Sequence, residues 1–116
     1  MEKWWTKVED VAEKVGFNAT GSYEGDDWNF AIGSPAGQDC HIEIFGRSIK
    51  NLADNLWAYV DSYDVSEETY VWLDNTGHGK NGAPYDMADV YNDMAWFRDK
   101  AEELWEAINE LVKETE

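Results

Sequence analysis

Apolar residues recur at helical spacing from Lys3 to Val15, where Trp4, Val8, Val11, Ala12 and Val15 form one stripe and Gly16 stands where helices usually stop. A first helix is expected there. The stretch Asn18 to Gly25 is polar and turn-prone, with Ser22, Tyr23 and Glu24 compatible with a short third strand at a sheet edge. From Asp27 to Gly33 the pattern alternates, placing Trp28, Phe30 and Ile32 on one face and Asn29 and Ala31 on the other. Ser34-Pro35-Ala36-Gly37 offers a preset φ at proline and a permissive glycine, so the chain should reverse. Alternation resumes from Asp39 to Phe45 with Cys40, Ile42 and Ile44 on one side, which makes the two segments a hairpin.

Helical spacing returns at Ile49, Leu52, Ala53, Leu56, Val60 and Tyr63, with Ser48 as the cap. Between Glu67 and Leu73 two tendencies compete. Ser66 followed by two acids suits a helix start, whereas Thr69-Tyr70-Val71-Trp72 is a run that strands favour; a short helix is expected. Gly77 to Pro84 is rich in punctuating residues and reads as a loop. Then Met87, Val90, Met94, Phe97, Ala101, Leu104, Ile108 and Leu111 alternate spacings of three and four, a seam that demands one long helix. Tyr91, Trp105 and Val112 broaden it, so it could cover a sheet or pair with a second copy of the chain. The order of elements predicts one α+β domain over residues 1–116: a small antiparallel sheet packed by an N-terminal, a middle and a long C-terminal helix.

Charge narrows the function classes more than size does. Acids number 25 against 9 bases, a formal net charge of −16, while 43% hydrophobic content with seven Trp guarantees a core. Such a surface repels phosphates and anionic lipids and attracts basic proteins, which argues against direct nucleic-acid or membrane binding. With Cys40 the sole cysteine, no internal disulfide can form, and a reducing, cytoplasmic setting is expected. The segment MEKWWTKVED lacks an apolar run of signal-peptide length, and no stretch has the apolar length of a membrane span.

Catalytic motifs are not evident, so no enzyme, cofactor or metal is expected. His41 and His78 are the only histidines and neither has a metal-ligand partner at short spacing. Cys40 and His41, adjacent on a strand, point to opposite faces and cannot pair as nucleophile and base. His78 and Lys80 in the glycine-rich loop make it a candidate site, yet Lys80 is followed by Asn81 rather than the Ser or Thr of a phosphate-binding loop.

The acids of the last helix carry more information. From Asp86 to Glu116 ten acids (Asp86, Asp89, Asp93, Asp99, Glu102, Glu103, Glu106, Glu110, Glu114 and Glu116) face Arg98, Lys100 and Lys113. All ten are expected off the seam, on a solvent face. Duplex DNA presents one phosphate charge per about 1.7 Å, so a carboxylate-studded rod crudely imitates its field. Asp99, Glu102, Glu103, Glu106 and Glu110 are thus expected to bind a basic partner such as a nuclease or other DNA-binding protein, with Trp96 as an aromatic anchor. Trp57 and Trp72 are also poorly placed for full burial. The alternative is a structural or regulatory homodimer joined through the long helix.

The strand-turn-strand around Ser34-Pro35-Ala36-Gly37-Gln38-Asp39, with Val71-Trp72-Leu73, Asn81-Gly82-Ala83-Pro84 and the acidic helix, resembles small uncharacterised acidic proteins of bacterial mobile elements across about residues 27–112. That resemblance implies no catalytic residues. It implies no known activity either, but because mobile elements often encode acidic inhibitors of host defence, it raises the DNA-mimic reading by analogy.

Overall fold

The structure, a computed structural model, describes residues 3–21, 27–35, 37–71 and 87–115. Helix α1 spans Trp4–Val15 and ends because Gly16 adopts a left-handed φ of 118°, its N–H returning to the carbonyls of Ala12 and Glu13. Three strands follow, β1 (Asn18–Gly21), β2 (Asp27–Gly33) and β3 (Asp39–Phe45), paired antiparallel in the order β1-β2-β3. The third strand exists, but it lies earlier than Ser22–Glu24, residues outside those described. It was hidden because its only core-facing side chain is Ala19, opposite Phe30, so alternation is faint.

The hairpin register sets Trp28 against Ile44, Phe30 against Ile42 and Ile32 against Cys40, which places the apolar set of both strands on one face. Its turn closes as expected: Ser34 N–H donates to the Gln38 carbonyl at 2.9 Å, and Gly37 N–H donates to the Ser34 carbonyl at 3.0 Å. Gly37 takes a φ of 90°. Helix α2 (Ile49–Ser62) starts at Ser48, whose side chain accepts from Asn51 N–H. Helix α3 (Val65–Val71) takes the helical option for this segment, opened by the carboxylate of Asp64 accepting from the N–H groups of Ser66 and Glu67. Helix α4 runs from Met87 to Thr115, 29 residues.

One cluster forms the core, drawing Val8 and Ala12 from α1, Trp28, Phe30 and Ile42 from the sheet, and Leu52, Leu56 and Val60 from α2. Phe17 joins the layers. It follows the α1 cap and packs edge-on against Phe30 at 6.5 Å and against Phe97 of α4 at 6.4 Å. The seam of α4 is hidden in the same cluster from Val90 to Leu111, and its chief neighbours are α1, α2 and α3. At the start of the helix Met87 of the seam and Tyr91 on its flank are exposed.

Among the described residues one acid of the last helix is buried rather than on the expected solvent face. Asp93 is only 4% exposed. It precedes Phe97 by one helical turn and so extends the seam, and it is tolerated there because Ser34 Oγ donates to its carboxylate at 2.7 Å. The same hydroxyl accepts from Gln38 N–H at 2.8 Å, tying the hairpin turn to α4.

Candidate protein-binding surface

Helical geometry places Asp99, Glu102, Glu103, Glu106 and Glu110 within an arc of about 100°, opposite the buried seam. Four are exposed and Glu102 is half-buried. With Asp89 and Glu114, also exposed, they form a ridge of seven carboxylates against Arg98, Lys100 and Lys113. Asp86 and Glu116 lie outside the described residues.

The three bases thin this field without cancelling it. Arg98 reaches Glu102 at 3.4 Å and Asp99 at 3.9 Å, Lys100 reaches Glu103 at 3.0 Å, and Lys113 reaches Glu110 at 3.2 Å. Among the described residues Glu106 has no ion pair. Exposed pairs of this kind contribute about 0–1 kcal/mol, so an incoming cation can exchange for the local base at little cost. Lys100 is held more firmly, because its ammonium also donates to the Val15 carbonyl at 3.3 Å, at the C-terminus of α1.

Trp96 is not a free anchor: it is half-buried and packs against the core cluster. Among the described residues the exposed tryptophan is Trp57, 42% accessible, whose ring lies 4.7 Å from that of Trp105 at a tilt of 45°. Trp105 had read as a flank of the seam; its place between seam and ridge is what brings it to the surface beside α2. Trp72, His78 and Lys80 lie outside the described residues.

Nucleophilic chemistry finds no support at Cys40. Burial, with the negative charges of Asp93 and Asp39 behind it, pushes the thiol from 9.0 up to about 12, so it stays protonated at neutral pH. His41, its neighbour, is exposed on the opposite sheet face and lies 3.7 Å from Glu43. Tyr59 and Tyr63 are likewise held protonated, first by burial and then by nearby Glu68 among other groups. Glu68 itself is raised by burial and by Glu67. Among the described residues no three His, Cys, Asp or Glu side chains gather as metal ligands, and no helix is long and apolar enough to cross a membrane.

No protein-family model, curated protein or solved structure matches the chain.

Proposed function

We propose that this chain is a non-catalytic binding module whose α4 ridge engages a basic protein, acting as a DNA-mimic inhibitor of a nuclease or other DNA-binding protein. The carrying observation is the confinement of Asp99, Glu102, Glu103, Glu106 and Glu110 to one outward arc of a 29-residue rigid helix. A net charge of −16 adds long-range attraction for a cationic groove. The single cysteine suits a cytoplasmic setting.

Displacement of a labelled duplex from a basic, sequence-nonspecific DNA-binding protein tests the proposal. Neutralising the ridge (Asp99→Asn with Glu102→Gln, Glu103→Gln, Glu106→Gln and Glu110→Gln) is expected to weaken displacement about tenfold or more. A control that neutralises Glu9, Asp10, Glu13, Asp39 and Glu43 changes net charge equally and should lose much less. Equal losses would mean that bulk charge, not the ridge, does the binding, and would overturn the proposal.

A further inference from the structure

Trp57 sits on α2 with Asp54 three residues before it and Asp61 four residues after, so all three share one helix face. Its ring companion Trp105 on α4 has Glu102 three residues before it and Glu106 directly after. The two helices run antiparallel, since Trp57 meets Trp105 while the later Tyr63 meets the earlier Phe97 at 6.1 Å. The indole pair therefore has carboxylates beside it on the helical surfaces of both α2 and α4. The nearby bases are already engaged: Lys50 holds Asp54 at 3.0 Å, and Arg98 holds Glu102.

Core packing explains why Trp105 is half-buried, but it does not explain why a large indole at Trp57 stays 42% exposed amid acids. The geometry points to a recognition site for an arginine side chain of the basic partner, with the guanidinium stacked on Trp57 and its N–H groups donating to Glu102 or Asp61. Indole is the strongest aromatic host for a cation, and a guanidinium is planar and weakly hydrated enough to stack while it hydrogen-bonds carboxylates. An ammonium gains the charge attraction but not the stacking. The site rests on the proposed function, which supplies the partner, and it adds a preference that the acidic ridge alone does not have.

The test uses the full chain with an arginine octapeptide and a lysine octapeptide as probes, titrated calorimetrically at low salt. Arginine is expected to bind more tightly than lysine by about 3- to 30-fold, the range of one cation–π contact. Trp57→Ala should erase that preference while leaving the weaker lysine binding in place, and Trp57→Phe should keep part of it. Circular dichroism of each variant checks that the fold survives. Equal affinity for the two peptides, or a preference that persists in a folded Trp57→Ala, overturns the site alone. Failure of both peptides to bind at low salt overturns the proposed function and the site together.

Discussion

Raising the pH from 9 towards 12 is expected to unfold this protein. Cys40 is held protonated to about 12 in the folded chain but ionises near 9.0 when released, so between those values the unfolded state binds fewer protons. Stability is unaffected by this thiol below pH 9 and then falls by about 1.4 kcal/mol per pH unit, or about 4 kcal/mol over the interval. Tyr59 and Tyr63, raised from 10.0 by burial, act in the same direction from their ordinary range upward. Domains of this size are stable by about 5–15 kcal/mol, so losses of this kind at three groups remove much of that margin. The measurement is a base titration followed by near-ultraviolet circular dichroism and tyrosinate absorbance together. The near-ultraviolet signal should be lost in one cooperative step that also releases the tyrosinate absorbance of two of the six tyrosines, and Cys40→Ala should flatten the slope between pH 9 and 10. Ionisation of all six tyrosines with the fold intact would show that these two hydroxyls are not confined as described.

Ser34→Ala is expected to cost about 3 kcal/mol, more than the usual loss of a hydroxyl, because it strips the donor from a buried carboxylate. Asp93 is 4% exposed and Ser34 9%, so water cannot readily replace the 2.7 Å contact. Asp93→Asn should cost less, about 1 kcal/mol, since a neutral acceptor remains for the same hydroxyl. This order, with the small residue mattering more than the charged one, can be read from denaturant midpoints of the two variants. The reverse order would indicate that Asp93 is stabilised by something other than Ser34.

How far the chain could be read without coordinates follows from where its side chains contact neighbours in sequence. Helix α2 was legible to its cap because Ser48 and its apolar stripe act locally, and the hairpin because Ser34, Pro35 and Gly37 encode the reversal in adjacent residues. Strand β1 was not, since Ala19 gives almost no alternation and the strand is defined by its pairing with β2. Asp93 was misplaced for a related reason: a carboxylate at a seam position looks solvent-facing until a serine 59 positions earlier in the chain is folded against it. At the candidate surface the ridge could be drawn on a helical wheel, whereas the Trp57–Trp105 pair depends on how α2 crosses α4. That crossing is also why Trp57 is more exposed than Trp96, which packs partly against the core.

Helix α4 divides its circumference between two duties: an inner side that the fold cannot change cheaply and an outer side that contributes little to stability. Substitutions among Asp99, Glu103, Glu106 and Glu110 should therefore drift almost freely with respect to folding. Such a scaffold can rewrite the charge pattern on one side of a single rod without re-solving how the chain folds.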